Sequence, residues 1–180
     1  MKKEMNGNDK FTWKNGDLEV VKLVINGKEV DPSALRQTPG KIFGFSKRPT
    51  PGFILEGTRL AIYDGPGQKQ YAEYSEGLDK IKRKRISSEQ MDQIRAVLDN
   101  DILYETEELE DPYGIMILDG TGYEFYFATK DRKNEMHGSN IDYCREDFEH
   151  CLHSAHAIRA LEEIRDILDG KGIPKKYFDL

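Results

Sequence analysis

The sequence predicts an α+β fold, in which an antiparallel sheet built from β-hairpins carries two helices on one face. Two observations predict it. Turn signals such as Asn-Gly and Asp-Gly separate short runs of strand-forming residues. Two longer stretches with apolar residues at helical spacing follow these runs, and this order is typical of α+β domains rather than of parallel α/β sheets. Because 180 residues can bury a core of their own, we expect a single domain over residues 1–180.

Composition and charge exclude two classes of protein. Aromatic residues make up 10% of the chain and charges of both signs are mixed, whereas disordered chains are poor in aromatic residues. No apolar run is long enough for a membrane helix, and none follows Lys2 and Lys3 as it would in a signal peptide. We therefore expect a cytoplasmic protein with no membrane partner. The net charge of −6 is uneven, because residues 1–90 carry +5 and residues 91–180 carry −11.

The N-terminal part predicts a small β-meander over residues 1–30. Asn15-Gly16 and Asn26-Gly27 lie between strand-like residues, and Asn-Gly is the strongest short signal for a two-residue hairpin turn. The alternative for residues 19–25 is a short helix, because their apolar residues do not alternate cleanly. Residues 31–52 contain four prolines and three glycines, so we expect a long loop with no regular element.

Residues 53–100 predict a first ββα unit. Strands over 58–63 and 68–74 flank the turn at 64–67, and a helix follows from about residue 88 to 99. Its start is marked by a capping box of Ser87 and Gln90, with Ile86 and Met91 in the positions of a hydrophobic staple.

Residues 112–169 predict a second ββα unit. Strands over 113–118 and 123–129 flank the turn at 119–122, and a third arm near 135–139 extends the hairpin. The last helix is expected from about residue 145 to 168, before Gly170. A shift of 55 residues places the first turn on the second, which suggests two copies of one unit. Between the units, residues 99–111 carry seven acidic and no basic side chains, and we expect a solvated loop.

All four histidines and both cysteines fall within residues 137–156. His150, His153 and Cys151 are the candidate metal ligands, because His150 and His153 share a helix face and imidazole and thiolate are the usual zinc ligands. The spacing matches no standard zinc motif, which favours surface histidines. Cys144 and Cys151 would lie about 10 Å apart along a continuous helix, too far for a disulfide, so we expect free thiols.

The densest basic stretch is residues 80–85, which could contact phosphates. It could equally be a solvated linker or an edge strand, where lysines discourage edge-to-edge pairing. The chain as a whole is acidic and carries no signature of a nucleic-acid-binding module, so we do not expect a nucleic acid as the partner.

The aromatic strands carry the leading hypothesis, which is a non-enzymatic protein-interaction domain. Strand side chains alternate between faces, so about half of the aromatic side chains should be core and the rest exposed. A tyrosine-rich face is typical of protein-binding surfaces, and the candidates for it are Tyr71, Tyr74, Tyr123 and Tyr126. No catalytic set converges in the sequence, so we expect neither an enzyme nor a cofactor. The alternatives are a metal protein or enzyme using the cluster at 137–156, and nucleic-acid binding through residues 80–85.

Overall fold

The computed structural model describes residues 10–14, 17–25, 28–30, 40–49, 57–65, 70–77, 79–110 and 120–180. Its contacts divide the chain into two compact units, Met1–Thr38 and Pro39–Leu180, where the sequence predicts one domain. None of the helices in the described part of the chain is long and apolar enough to cross a membrane.

The first unit contains a three-stranded antiparallel sheet with β2 in the middle. Its strands are β1 (Lys10–Lys14), β2 (Asp17–Ile25) and β3 (Lys28–Val30). The predicted meander is confirmed, and the alternative of a short helix within β2 is wrong. The two Asn-Gly dipeptides expected at the turns lie outside the described residues.

The second unit is built on a six-stranded antiparallel sheet with the order β7-β6-β5-β4-β8-β9. Its helices, α1 (Ser88–Leu98) and α2 (Leu152–Ile167), pack together on one face of the sheet. This confirms the predicted α+β fold class. The strands are β4 (Gly40–Pro49), β5 (Thr58–Asp64), β6 (Tyr71–Glu76), β7 (Lys82–Arg85), β8 (Thr121–Ala128) and β9 (Lys133–Ser139).

One hydrophobic core lies between the sheet and the helices. Every second residue of the central strands points into it, as strand geometry requires when one face is buried. Phe45 and Phe125 are cross-strand partners whose ring centroids lie 5.0 Å apart. The largest fully buried side chains include Phe43, Leu60, Ile62, Ile86, Met91, Ile94, Leu98, Leu103, Tyr123, Phe127 and Met136.

Strand β4 shows that the predicted loop over residues 31–52 is wrong. The segment forms a ten-residue strand in the middle of the sheet, paired with β5 on one side and β8 on the other. Its prolines do not interrupt the ladder, because Pro39 precedes the strand and Pro49 is its last residue. Residues 31–39 and 50–52 lie outside the described part of the chain.

The start of α1 confirms the predicted capping box. The Ser87 hydroxyl accepts a hydrogen bond from the backbone N–H of Gln90, and the Gln90 side chain accepts one from the backbone N–H of Ser87. Ile86 and Met91, the expected hydrophobic staple, are both buried. The hairpin of β5 and β6 before the helix is confirmed as well.

The structure differs at two places from the ββα unit predicted over residues 112–169. Thr121 and Gly122, which were expected in a turn, belong to β8, and β8 pairs with β4 and β9. The expected first arm over 113–118 lies outside the described residues. The last helix begins at Leu152 rather than at Arg145, because residues 141–146 form a separate 3-10 turn. Gly170 follows α2 with φ at 78°, a conformation that suits glycine.

The two cysteines form a disulfide bond, so the expectation of free thiols is wrong. The chain between them is not a continuous helix. Asp147 accepts a hydrogen bond from the backbone N–H of His150 at 3.1 Å and closes a turn there. This turn brings the Cα atoms of Cys144 and Cys151 to 5.4 Å, within the range of disulfides. A continuous helix through both residues would hold them too far apart for this bond.

The disulfide predicts the number of reactive thiols. In protein purified without reductant and unfolded in denaturant, we expect no thiol to react with a chromogenic thiol reagent, and two to react after reduction. Removing the bond with Cys144→Ser should destabilise the fold by about 2 kcal/mol, because the bond closes a short loop in the unfolded chain. Two reactive thiols before reduction would contradict the bond.

The acidic segment, residues 99–111, was expected to be a solvated loop. Its described part, up to residue 110, is instead packed against the sheet, which corrects that expectation. Its backbone lies along the outer edge of β9, where Leu109 donates to the carbonyl of His137 and His137 donates to that of Glu107, both at 2.9 Å. The Leu109 side chain is buried against Gly138, where a Cβ would come within 2.5 Å of the Leu109 Cβ. The segment therefore covers this edge of the sheet.

Glu110, at the end of this segment, caps α2 from outside the helix. Its carboxylate accepts hydrogen bonds from the backbone N–H of His153 at 2.8 Å and of Ser154 at 2.7 Å, and from the Ser154 hydroxyl at 2.6 Å. Burial disfavours the charged carboxylate, but these hydrogen bonds outweigh burial and lower the pKa of Glu110 to about 2. The acidic segment is thereby tied to both β9 and α2.

Candidate functional site

The face of the six-stranded sheet opposite the helices carries a mixed aromatic and charged surface, here called the open face. It is formed by the strand residues that alternate with the core residues. A bulge in β4 between Lys41 and Phe43 turns Lys41 to the same side. From β7 to β9, the side chains of the open face are Arg83, Arg85, Tyr71, Glu73, Ser75, Arg59, Ala61, Tyr63, Lys41, Ser46, Arg48, Glu124, Tyr126, Glu135 and His137.

A depression lies in the middle of the open face, where small residues of β4 and β5 form the floor. Gly44, Ser46 and Ala61 are neighbours across this part of the sheet, and a Cβ on Gly44 would come within 3.2 Å of the Tyr126 Cβ. The cavity has a volume of about 430 Å³, within the range of sites that hold small ligands or partner side chains. Its rim is formed by larger residues, among them Lys41, Arg48, Arg59, Tyr63, Tyr126, Glu135 and His137.

Two arginines near this depression are paired with glutamates, whereas a central third arginine is not. Arg48 donates to the Glu124 carboxylate at 2.9 Å, and the Ser46 hydroxyl donates to the same oxygen at 2.9 Å. On the β7 side, Arg83 donates to Glu73 at 2.8 Å. Arg59 is exposed beside the depression and has no ion pair within the described part of the chain.

The tyrosine rings of the open face are held by their neighbours. Tyr63 and Tyr71 stack across β5 and β6 with centroids 5.0 Å apart, and Arg83 lies 5.2 Å from the Tyr71 centroid. The Lys41 ammonium lies 3.8 Å above the ring of Tyr126. Burial, followed by the charge of Glu73, raises the pKa of Tyr63. These contacts hold the rings in place, so the tyrosines are largely preorganised.

Two of the four predicted interaction tyrosines lie on the open face and two do not. Tyr71 and Tyr126 are on it and half-buried, whereas Tyr74 and Tyr123 point into the core with 4% and 2% exposure. Tyr123 donates to Asp142 at 3.0 Å, and burial, with the Asp142 charge, raises the pKa of Tyr123.

Sequence reasoning missed the central residues of this surface, Arg59 and Tyr63. They occupy the outward positions of β5, in alternation with the buried Leu60 and Ile62. That period-two alternation was the signal that could have found them.

The candidate metal ligands are not brought together. The Cys151 sulfur is bonded to Cys144. His153 contacts Glu110 through Nδ1 at 2.5 Å and Glu105 through Nε2 at 3.2 Å, while His150 contacts Asp147 through Nδ1 at 3.0 Å. Among the residues that the structure describes, no group of three His, Cys, Asp or Glu side chains is arranged to hold a metal ion.

The basic stretch at 80–85 is divided between the two faces of the sheet. Lys82–Arg85 form the edge strand β7, and the two residues before them lead into it. The cationic side chains of β7 therefore alternate between the two faces of the sheet. Arg83 and Arg85 lie on the side of the open face, because their cross-strand partners are Glu73 and Tyr71.

Comparison of the chain with protein-family models, with curated proteins and with solved structures found no match.

Proposed function

We propose that this chain is a protein-interaction domain whose open face binds a segment of a partner protein. The partner places an acidic side chain against Arg59 and a neighbouring side chain in the depression beside it. The observation that carries the proposal is the exposed Arg59, unpaired among the described residues, at a preformed depression of about 430 Å³. Arginine and tyrosine are the residues that most often dominate the energy of protein interfaces.

Preorganisation supports a rigid binding surface. The rings of Tyr63 and Tyr126 at the rim are held by Tyr71 and Lys41, respectively, so their ordering costs little entropy when a partner binds. Arg48 is likewise held by Glu124. Arg59 has no ion pair among the described residues, so its donors are free for a partner carboxylate, with which it can form two parallel hydrogen bonds.

The same contacts argue against single-stranded nucleic acid on this face. Bases stack on free aromatic faces, but Tyr71 already lies between Tyr63 and Arg83, and the face of Tyr126 is taken by Lys41. Carboxylates are interspersed with the cations and would repel phosphates, namely Glu73, Glu124 and Glu135. A protein segment with its own mixture of charges fits this pattern better.

The proposal predicts the composition of peptides that bind. A phage-displayed library of random 12-residue peptides is selected on the wild-type chain, with counter-selection on Arg59→Glu. We expect enriched peptides to contain an aspartate or glutamate beside an apolar residue. A synthetic copy of the best peptide should bind Arg59→Glu at least about tenfold more weakly, because one desolvated charge pair is lost and reversed.

The matched control is Arg159→Glu, which reverses an exposed arginine on α2, away from the open face. It should bind the peptide like the wild type. Failure to enrich any acidic peptide, or equal affinity for wild type and Arg59→Glu, would overturn the proposal. Binding of a fluorescent single-stranded oligonucleotide that is steeply salt-dependent and lost in Arg59→Glu would replace the protein partner with a nucleic acid.

The cytoplasmic location expected from the sequence stays a prediction. The free thiols expected from the sequence would fit a reducing compartment, whereas the disulfide between Cys144 and Cys151 does not.

A further inference from the structure

The two edges of the six-stranded sheet differ in what covers them. The outer edge of β9 is covered by the acidic segment, whose bridge between Glu108 and His137 runs parallel to the strand. At the other edge, β7 pairs with β6 on its inner side, and no described strand pairs with its outer side. An unpaired strand edge offers a row of backbone donors and acceptors.

The ladder decides which backbone groups of β7 point outward. Ile86 donates its N–H to the carbonyl of Gln70 at 3.0 Å. In an antiparallel pair, hydrogen-bonded residues recur at every second position, so Lys84 and Lys82 also bond inward to β6. The N–H and C=O groups of Arg83 and Arg85 therefore point away from the sheet.

The side chains of this edge are cationic on both faces of the sheet. Lys82 and Lys84 lie on the side of the helices, since they pair with the buried Tyr74 and Ala72. Arg83 and Arg85 lie on the side of the open face. Within the described residues, only Arg83 of these four cations has an ion pair, with Glu73. Ile81, just before the strand, is 54% exposed and offers one apolar contact.

From this geometry we propose that β7 binds an extended acidic segment of a partner protein, which adds to the sheet as a seventh strand. The backbone of the segment pairs with the outward groups of Arg83 and Arg85, and its acidic side chains, which occupy alternate positions and so share one face, reach Lys82 and Lys84. Strand addition supplies affinity through the main chain, and charge complementarity selects an acidic sequence.

The charge of β7 also determines which partners it rejects. Four successive cations repel the β7 edge of a second copy of this chain, which is how edge lysines prevent aggregation. The same charge attracts an extended segment of opposite sign. Protection against self-pairing and recognition of an acidic strand are therefore compatible roles of one strand.

The test uses a fluorescein-labelled, end-blocked peptide of eight residues that alternates glutamate and threonine, because threonine favours a strand but offers no large apolar side chain to the depression of the open face. We expect it to bind the full chain, with affinity measured by fluorescence anisotropy at fixed ionic strength. Two N-methylated versions of the peptide are compared with it. One carries N-methyl groups on the odd-numbered backbone nitrogens, and the other carries them on the even-numbered ones. Only one set faces β7, so one version should bind at least about tenfold more weakly and the other like the parent.

Variants separate this edge from the open face. Lys82→Glu with Lys84→Glu should weaken binding at least about tenfold, because the glutamates of the peptide then meet like charges. Both lysines lie on the side of the sheet away from the open face, so the open face keeps its own side chains. Lys133→Glu, an exposed lysine on the opposite edge strand, is the matched control and should bind like the wild type. Arg59→Glu should leave this binding unchanged, so failure here is distinguishable from failure of the proposed function.

Three results would overturn strand addition. The first is no binding of the parent peptide. The second is equal affinity of both methylated versions and the parent, which would indicate charge attraction without backbone pairing. The third is equal affinity of the double lysine variant and the wild type.

Discussion

Replacing Phe45 with alanine is expected to lower the free energy of unfolding by about 3 to 5 kcal/mol. Phe45 lies in the middle of β4 with 2% exposure. Its ring packs against Phe125 at 5.0 Å and Tyr123 at 6.4 Å, and its cross-strand partner on the other side is Leu60. Alanine would leave a cavity between strands that are held on both sides and cannot collapse into it. Urea denaturation followed by circular dichroism measures the loss.

Phe148→Ala is the matched control for this prediction. Phe148 is 40% exposed, in the turn before α2, and its main ring contact is an edge-on one with His156 at 5.4 Å. Its replacement should cost less than about 1 kcal/mol. Equal small losses for the two variants would contradict the position of β4 at the centre of the sheet.

Replacing Glu110 with glutamine is expected to destabilise the fold by about 3 kcal/mol at pH 7. The pKa of Glu110 is lowered from 4.5 to about 2, and each unit of such a difference corresponds to about 1.4 kcal/mol between folded and unfolded states. The side chain is 25% exposed, so solvent screens these contacts little. Glutamine keeps one acceptor but turns its NH₂ group towards the donors of His153 or Ser154, which leaves a donor unpaired.

The same prediction has a pH dependence with a definite sign. Because the pKa of Glu110 is lower in the folded chain than in the unfolded chain, its contribution is fully present above about pH 4.5. It is lost as the pH falls towards about 2. The difference in stability between wild type and Glu110→Gln should therefore fall to less than half between pH 7 and pH 3. Urea denaturation at both pH values measures it.

The control for this pair of measurements is Glu163→Gln, on the outer surface of α2. Glu163 is 47% exposed, and its ion pair within the described residues is with Arg159 one turn away, so its replacement should have a small effect at both pH values. A difference between wild type and Glu110→Gln that does not change with pH would contradict the capping role of the carboxylate.

Local signals in the sequence predicted the parts of the fold that depend on local contacts. The capping box at Ser87 and Gln90 placed the start of α1, because its partners lie within one turn. The hairpin of β5 and β6 was found for the same reason. Strand β4 was missed because its stability comes from β8, far along the sequence, while its flanking prolines resemble those of a loop.

The site was predictable in kind but not in its residues. Alternation in the aromatic strands indicated a face rich in tyrosine, yet the choice between inward and outward tyrosines depends on register. A shift of one residue exchanges all of them, and the sequence did not fix which of Tyr71 and Tyr74 faces out. Arg59 could not be singled out, since its lack of an ion pair among the described residues depends on tertiary contacts, in which Glu124 pairs with Arg48 and Glu73 with Arg83.

The place of β4 between β5 and β8 affects how the chain folds during its synthesis. Phe43 pairs with Ile62 on one side and with Phe127 on the other, so one neighbour leaves the ribosome soon after β4 and the other much later. Until then, the half-built sheet has an unpaired apolar strand at its growing side. Pairing over such a separation is slow, and nascent chains at this stage are prone to aggregate. Translation of the residues between β5 and β8 is therefore the interval in which we expect this protein to need chaperones most.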